Sequence, residues 1–439
     1  MVCRHNQGLA GLAAANAITT SVQASKVSVT IFEAGKSPGL AGCTTQVDSH
    51  LIDVPPRMAI LGYYDEYMKL VHKLQVPVRV VKTDCAYSGK DKSGMETLHL
   101  YEKSHVANLY NAIFDGGVNN FWKVLRAMSS MHQHDGELQT GMSFGDWLEK
   151  YLDFHPTSES KSWNGNAKGS AFDLCALLQH KNQFLCIIVG SLCWMLSCTY
   201  EQLMKYPADI LLPYIQKLSI SKGILGAFSQ SQVVRVDPSI KALERSLLYG
   251  VDNLHCNYRV TDVDEKKTIN GVQYDAIICA TEASAVPRIL TICAPVFEKF
   301  RYHPSTIYLH TDQSFMPRNK ENWRTWHVHM SSSSEEAELT FWLNEFFPGS
   351  IFDRPTFQTW APSKPPKPET VIKRFDFQRV VHTENTKHLV AKVEAQQGGN
   401  GGIYYAGSYC VYGMGLLEQA ALSGRVTGER VLKDLFKHE

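Results

Sequence analysis

Residues 1–34 read MVCRHNQGLAGLAAANAITTSVQASKVSVTIFEA, and this stretch decides the fold. Its short apolar start predicts a strand over Val2–His5, and the Ala-rich run after it predicts a helix over Leu9–Thr20. The β-branched run VSVTIF then predicts a buried parallel strand over Val27–Phe32. A strand, a glycine turn, a helix and a second strand make a βαβ unit, so the sequence predicts a fold that opens as α/β.

The glycine turn has the residues of a dinucleotide site. Gly8 and Gly11 fill the second and third glycine places of a Gly-x-Gly-x-x-Gly pattern, and Asn6 fills the first. Backbone N–H groups at such a turn can bind a pyrophosphate at the positive end of the helix. Glu33 follows Gly11 by 22 residues, at the end of the second predicted strand, where a carboxylate accepts hydrogen bonds from ribose hydroxyls. Close helix packing and a solvated carboxylate are the alternative interpretations of these residues.

Composition limits the classes of function. A chain of 439 residues is long enough for two or three domains or for one large interleaved one. It has 44 Lys and Arg residues against 43 Asp and Glu, scattered along the chain without a basic stripe. Nucleic-acid binding, which needs such a stripe, is therefore not predicted.

Cysteine usage and the apolar segments bear on compartment. The 11 cysteines lack Cys-x-x-Cys spacing, including the group Cys186, Cys193 and Cys198, so we expect reduced structural thiols. The N-terminus lacks a signal-peptide pattern, which predicts a cytoplasmic or organellar protein and not a secreted one. The uncharged stretch at 184–200 is predicted to be a buried helix rather than a membrane span, although a peripheral membrane contact stays open.

The rest of the chain predicts a second, α+β domain between parts of the first. Helical spacing of apolar residues marks 63–74, 106–131 and 143–152, the last capped by Ser143. Alternation marks antiparallel strands at 307–311, 325–330 and 339–343. Strands predicted near 232–236, 253–263 and 274–280, and later a strand at 402–406 and a helix at 416–436, return to the first domain. The predicted limits are 1–60, 219–290 and 395–439 for a cofactor-binding domain, and 61–218 and 291–394 for a substrate domain.

Four segments carry a resemblance to a known superfamily: GLAGLAAA, IFEAGKSPG, DAIICATEASAVPRIL and IYYAGSYCVYGMGLLEQAALSGR. In this order they resemble the flavin amine-oxidase, protoporphyrinogen-oxidase and phytoene-desaturase superfamily. FRYHPSTIYLHTDQSFMPR, TFWLN and VIKRFDF are similar to a less characterised subgroup described as FAD/NAD(P)-binding proteins. The resemblance implies a three-layer, glutathione-reductase-like, Rossmann-like FAD-binding domain interleaved with an α+β substrate domain that contains an antiparallel sheet and helices.

The resemblance also implies positions for the FAD cofactor. It implies FAD contacts from the opening turn, the end of the second strand, the segment after IDVPP, one backbone position near the adenine and the closing motif. These residues are Gly8, Leu9, Ala10, Gly11, Glu33, Ala34, Arg57, Val260, Gly407, Ser408, Gly415, Leu416 and Leu417. Met58, Tyr409 and Tyr412 are implied neighbours of the flavin ring, or else aromatic and apolar core.

The chain departs from the superfamily's pattern in several places. Ser408 stands where many relatives have an acid, SPGLAGCTTQ lacks the basic residue of a Gly-Gly-Arg element, and Asp237-Pro238 replaces a Gly-Gly segment. These departures keep open a catalytically impaired relative that acts as a binding or scaffold protein. A nicotinamide-only dehydrogenase is a further alternative.

The resemblance implies an FAD-dependent oxidoreductase that transfers hydride from an apolar small molecule, such as a lipid, an isoprenoid or an amine, to the flavin. Catalytic residues are not identified. His327 and His329 share a face of their predicted strand, but no Asp, Glu or Cys is spaced to complete a metal site with them or with His310, so none is predicted. An apolar substrate wall, or plain core, is predicted from Phe184, Trp194, Met195, Leu203, Leu211 and Tyr214.

Overall fold

The computed structural model describes residues 2–3, 8–90, 96–101, 118–132, 141–154, 183–219, 232–269, 271–290, 295–331, 335–347 and 352–437. The strands are β1 Val2–Cys3, β2 Thr30–Glu33, β3 Thr45–Val47, β4 His50–Ile52, β5 Met58–Ile60, β6 Val78–Val80, β7 Cys85–Lys90, β8 Glu96–Tyr101, β9 Val233–Val236, β10 Asn253–His255, β11 Thr268–Ile269, β12 Val272–Gln273, β13 Ile277–Ala280, β14 Arg301–His310, β15 Trp326–Ser331, β16 Glu338–Trp342, β17 Phe357–Trp360, β18 Val371–Val381 and β19 Ile403–Tyr405.

The helices are α1 Gly8–Thr19, α2 Asp65–Lys73, α3 Val118–His132, α4 Phe144–Leu152, α5 Gln183–Leu196, α6 Tyr200–Met204, α7 Ala208–Ser219, α8 Lys241–Leu247, α9 Leu343–Phe346, α10 Thr386–Glu394, α11 Gly399–Gly402 and α12 Leu417–Leu435. The chain divides into two compact units, one of 1–80, 234–301 and 385–439 and the other of 81–233 and 302–384. The cofactor-binding and substrate-binding roles predicted for two such parts, and their predicted limits, stay predictions.

The first unit is built on a five-stranded parallel sheet in the order β10-β2-β1-β13-β19. Its strands are short and carry the β-branched and aromatic side chains that suit a sheet buried on both faces. Every residue of β13 and β19 is buried. The predicted α/β class with a Rossmann-like sheet is confirmed, and β1, as the central strand, leads to the N-terminus of α1.

Helices α1 and α12 pack closely because α12 presents glycines to α1. A Cβ atom on Gly424 would lie 2.2 Å from Ala10 O, and one on Gly428 would lie 2.6 Å from Ala14 O. The helix α1, GLAGLAAANAIT, has small side chains on most of its surface and is buried along most of its length. The two helices thus run side by side, with Gly8 and Leu417 starting at one end and Thr19 and Leu435 finishing at the other.

Helix α2 is held by the first turn of α12. The two carboxylate oxygens of Glu418 accept hydrogen bonds from Glu66 N and Tyr67 N, each at 3.0 Å. These N–H groups are orphan donors at the start of α2, and an anion there also complements the helix dipole. Arg425 adds an ion pair to Glu66, with 2.8 Å between Nε and Oε2.

The second unit has a seven-stranded sheet in the order β18-β14-β17-β16-β15-β7-β8. The strands predicted at 307–311, 325–330 and 339–343 occur as β14, β15 and β16, and each has an antiparallel neighbour. Strand β17, which was not predicted, pairs antiparallel with β14 and β16, and β15 also pairs in parallel with β7. Helix α5 covers one face: Gly190 lies against Met330 and Tyr87, and the Trp194 ring lies edge-on to Trp326, with 5.6 Å between ring centroids. Helix α4 begins with the predicted Ser143 cap, whose Oγ accepts from Asp146 N at 3.1 Å.

Several elements differ from their predicted limits; among the strands, β14 begins at Arg301 rather than at 307. The strand predicted over 253–263 ends at His255, because Asn257 takes a left-handed backbone with φ of 55° and turns the chain. The second strand is Thr30–Glu33 rather than 27–32, and α3 spans Val118–His132, the rest of the prediction over 106–131 lying outside the described residues. Within the described part of the chain, no helix is long and apolar enough to cross a bilayer.

Candidate cofactor-binding site

The N-terminus of α1 meets the loop that follows β2. A Cβ on Gly8 would lie 2.5 Å from Leu40 N and 2.9 Å from Gly39 C, so only glycine fits at the helix start. A Cβ on Gly39 would lie 3.2 Å from Gly8 N. The predicted dinucleotide turn therefore includes this second glycine segment, and backbone N–H groups of the first turn of α1 gather beside it.

Glu33 is the last residue of β2 and is 1% exposed. Its Oε1 accepts a hydrogen bond from Gly35 N at 2.6 Å, whereas its Oε2 is buried and has no hydrogen-bond partner among the residues that the structure describes. A Cβ on Gly39 would lie 3.4 Å from Oε2, so the free oxygen is adjacent to the glycine segment. Burial raises the pKa of Glu33, and the hydrogen bonds from Gly35 and Ala34 lower it by a smaller amount. An unsatisfied buried acceptor next to a helix N-terminus fits the ribose hydroxyls of a dinucleotide.

The chain after β10 runs beside the end of β2. Asn257 N donates to Gly35 O at 2.7 Å, and Tyr258 N donates to Glu33 O at 2.8 Å. Val260, two residues after Tyr258, is buried. Ala34 lies between these two contacts and is partly exposed.

A buried acid fixes the loop after β2, and sequence reasoning missed it. Glu244 of α8 accepts a hydrogen bond from Ala41 N to its Oε2 at 2.7 Å. Burial raises the pKa of Glu244 to about 7, while the bond from Ala41 lowers it by a smaller amount. Nothing in the local sequence KALERSL marks this glutamate, because its partner lies about 200 residues away along the chain.

Asp53 and Arg57 lie on the other side of the same loop. Asp53 Oδ1 accepts from Thr44 Oγ1 and Oδ2 accepts from Ile240 N, both at 2.8 Å, which ties the loop to the start of α8. Arg57 has a left-handed backbone with φ of 51°. Burial lowers the pKa of the Arg57 guanidinium, and the nearby Cys43 and Asp53 raise it. Arg57 is thus a cation within electrostatic range of Cys43 in this loop and of Glu244 in α8.

The closing segment follows β19. Gly407 N donates to Ser423 Oγ at 3.0 Å, and a Cβ on Gly407 would lie 2.5 Å from Tyr409 Cε1. The Tyr409 ring packs on Phe300 with 5.1 Å between centroids and is buried, so it belongs to an aromatic core. Ser408 is buried beside it.

The N-terminus of α12 is also formed by this segment. Gly415 has a φ of 70°, which favours glycine, and Leu416 N donates to Gln419 Oε1 at 3.1 Å. Leu417 begins the helix, and Glu418 is already engaged at the start of α2. Tyr412 is partly exposed and has Lys387 Nζ 5.8 Å from its ring centroid.

The predicted histidines form a hydrogen-bonded chain in the second unit. His327 Nδ1 lies 2.7 Å from Phe315 O, which can only accept, so Nδ1 is protonated and Nε2 accepts from Ser88 Oγ at 2.7 Å. Ser88 Oγ then accepts from His329 Nδ1 at 3.1 Å. Burial lowers the pKa of His327 to about 4, which keeps the ring neutral. Three metal-binding side chains do not come together anywhere in the described residues.

The remaining predicted residues belong to packed regions. His310 is buried and lies 2.7 Å from Thr359 Oγ1 through Nε2. The apolar residues of the predicted substrate wall that the structure describes are buried, and Trp194 packs against the sheet; the side chain of Phe184 lies outside the described residues. The three clustered cysteines at 186, 193 and 198 are buried free thiols.

Comparison with known proteins agrees with this architecture. Residues 8–74 match the family model of the NAD(P)-binding Rossmann-like domain. No curated protein matches the sequence.

Solved structures match over nearly the whole chain. A fatty acid isomerase from P. acnes is 12% identical with a TM-score of 0.61, covering 98% of both chains. A protein from Exiguobacterium sp. 255-15 is 14% identical with a TM-score of 0.64, and the match covers 99% of this chain and 98% of that one; its structure is titled as a candidate protoporphyrinogen oxidase. Cyclohexylamine oxidase from Brevibacterium oxydans is 10% identical with a TM-score of 0.55, covering 99% of both. The chain therefore has the fold shared by the amine oxidases and these related enzymes.

Proposed function

We propose that this chain, which has the amine-oxidase fold, is an FAD-dependent oxidoreductase whose flavin takes hydride from an apolar small molecule. The observation that carries the proposal is Glu33 Oε2, a buried acceptor at the end of β2 beside Gly39, which has no hydrogen-bond partner in the described part of the chain. A buried oxygen of this kind costs about 1–3 kcal/mol if nothing binds it, so a ligand with hydroxyl donors accounts for it best.

Different residues of the first unit would contact different parts of FAD. The N–H groups at the start of α1 and Arg57 supply positive charge for the diphosphate, and Glu33 accepts from the ribose. The backbone near Val260 lies at the adenine end, and the closing segment lies at the ribityl end. The residues that would hold the cofactor are Gly8, Leu9, Ala10, Gly11, Glu33, Ala34, Arg57, Val260, Gly407, Ser408, Gly415, Leu416 and Leu417. When bound, the flavin supplies the hydride acceptor.

The substrate class is supported by what the similar structures are named for. Putrescine oxidase, 12% identical with a TM-score of 0.58, was solved with putrescine, and cyclohexylamine oxidase and the fatty acid isomerase name an amine and a lipid. We propose an amine, lipid or isoprenoid substrate on this basis.

The absorbance spectrum of the purified protein is the deciding measurement. Flavin bands, or their appearance with saturable quenching of FAD fluorescence on titration, support the proposal. Glu33→Gln should weaken FAD binding about tenfold, because one charge-assisted acceptor is lost. A colourless, folded protein that gains no thermal stability from FAD would instead favour the binding or scaffold protein.

A second variant separates FAD from a nicotinamide cofactor. Gly407→Ala places a Cβ against the Tyr409 ring and disturbs the closing segment, which only FAD binding requires. We expect Gly407→Ala to lose FAD binding. Gly399→Ala is the matched control, because a Cβ there has no atom within 4 Å. NADPH binding that survives in Gly407→Ala, together with no FAD binding in the parent protein, would contradict the proposal.

A further inference from the structure

A groove lies on the first unit at the end of α1 away from Gly8. Its volume is about 960 Å³, within the range of small-molecule sites. Helix α1 contributes its second half to the groove together with the residues 20–23 that follow it, α2 contributes residues from Glu66 to Lys73, and α12 contributes residues from Ala421 to Lys433. The apolar lining consists of Ala13, Ala17, Val22, Leu70, Ala421, Leu432 and Phe436.

The charged lining of this α1–α2–α12 groove is mostly basic. Five cationic and two acidic side chains line it, a net formal charge of +3. Lys69 and Arg425 both pair with Glu66, at 2.7 and 2.8 Å, and Arg425 also pairs with Glu429 at 3.0 Å. These four residues balance one another. The positive charge therefore comes from the remaining three, Lys73, Lys433 and Lys437, which form no ion pair with a carboxylate among the described residues.

Helix dipoles offset only part of this charge. Helices α1, α2 and α12 all end at this side of the unit, at Thr19, Lys73 and Leu435. Each C-terminus is equivalent to about −0.5 charge, so the three ends contribute about −1.5 against the three lysines. An excess of positive charge remains for an anionic ligand.

Two buried polar atoms of the groove lining lack hydrogen-bond partners among the described residues. They are Nδ2 of Asn16, a residue that is 1% exposed, and Oγ of Ser21. Lys73 Nζ reaches the same end of the groove, where it donates to Thr20 Oγ1 at 2.9 Å. The amide of Asn16, the hydroxyl of Ser21 and the ammonium group of Lys73 are hydrogen-bond donors that the groove lining offers to an oxyanion head group.

We propose that the α1–α2–α12 groove binds a single-chain anionic amphiphile, a long-chain carboxylate in monomeric form. The carboxylate lies at Asn16, Ser21 and Lys73, and the hydrocarbon chain covers Leu70, Leu432 and Phe436. A concave, apolar floor favours an individual chain over a lipid surface, and the basic rim favours an acid over an alcohol. This site is separate from the proposed flavin site and does not depend on it.

The test uses the purified full chain, with whatever cofactor it carries, and dodecanoate below its micelle concentration in isothermal titration calorimetry. We expect saturable binding with one site per chain, weakened by added salt, and weaker binding of dodecanol. The double variant Lys73→Glu with Lys433→Glu should bind dodecanoate about tenfold more weakly, because two exposed charges are reversed. Both lysines are exposed, so the fold is expected to tolerate the change.

Two controls make the outcome decisive. Lys266→Glu with Lys392→Glu reverses the same charge at exposed positions outside the groove and should change the affinity less than about twofold. Leu70→Trp, which narrows the groove without altering charge, should also weaken binding. Equal losses in both double variants, or equal affinities for dodecanoate and dodecanol, would overturn the proposal. Binding only to phosphatidylglycerol vesicles would contradict the proposal and indicate a membrane as the ligand. Self-association that depends on the same lysines would contradict it as well and indicate a second copy of the chain.

Discussion

The two ends of the proposed cofactor site differ in whether their buried polar groups have hydrogen-bond partners within the chain. At the opening end, Glu33 keeps one buried oxygen without a partner, next to Gly39. At the closing end, Gly407 N is bonded to Ser423 and Leu416 N to Gln419. The opening end thus has capacity for a ligand, whereas the described contacts of the closing end are made within the chain.

This difference separates recognition from packing. The closing segment has the longest sequence motif, yet Tyr409 packs in an aromatic core and Glu418 holds α2. A shared motif can therefore report that a fold is kept without reporting that a cofactor is bound. The opening end is the more direct place to test for a ligand.

The contact between α1 and α12, on which both ends depend, should give the largest effect. Gly424→Ala puts a Cβ about 2.2 Å from Ala10 O, which forces the helices apart. We expect a loss of about 3 kcal/mol of unfolding free energy, measured by chemical denaturation. Gly399→Ala, where a Cβ is unobstructed, should change it by less than about 1 kcal/mol. Equal stability of the two variants would mean that α1 and α12 are not in close contact.

Glu244 gives the opening end a pH dependence. Its folded pKa of about 7 exceeds the ordinary value of 4.5, so the folded state binds the proton more tightly than the unfolded state. Stability from this group is fully present below pH 4.5 and is lost as pH rises through 7, by at most about 3 kcal/mol. We expect Glu244→Gln to flatten the melting temperature between pH 4.5 and 7. A profile parallel to that of the parent protein would show that Glu244 does not titrate in this window.

Glu418 tests the packing role of the closing end. Glu418→Ala leaves Glu66 N and Tyr67 N at the start of α2 without their acceptor, so we expect a loss of about 1–2 kcal/mol by chemical denaturation. Glu265→Ala, an exposed glutamate in the same unit, should stay within about 0.5 kcal/mol of the parent. A loss of stability no greater than that of the control would show that Glu418 does not stabilise the start of α2.

The sequence predicts those parts of the molecule that rest on local patterns. The βαβ opening, the Ser143 cap and the three antiparallel strands depend on periodicity and capping, which act over a few residues. Glu33 is a predicted site residue because its spacing from Gly11 is fixed by the length of one helix and one strand.

What the sequence missed depends on contacts between distant segments. Folding brings the loop after β2 against α8, where Glu244 and Asp53 make their hydrogen bonds. It also brings α12 against α1, where the glycines of α12 allow close contact. No pattern near Glu244 distinguishes it from a surface glutamate of a helix. The groove was missed for the same reason, since its lysines lie on two helices that are far apart in the chain.

The smallest effect contrasts the two ends directly. Glu33→Gln removes a buried charge that has an unsatisfied oxygen, so without a ligand the variant should be as stable as the parent or more stable by about 1 kcal/mol. Ser423→Ala removes the acceptor of Gly407 N and should lose about 1 kcal/mol. The two variants are expected to change the unfolding free energy of the cofactor-free protein in opposite directions, which would show that Glu33 is kept for binding. A buried group that lowers stability is typical of a ligand site. If both variants are less stable than the parent protein, Glu33 is a packing residue, as Ser423 is.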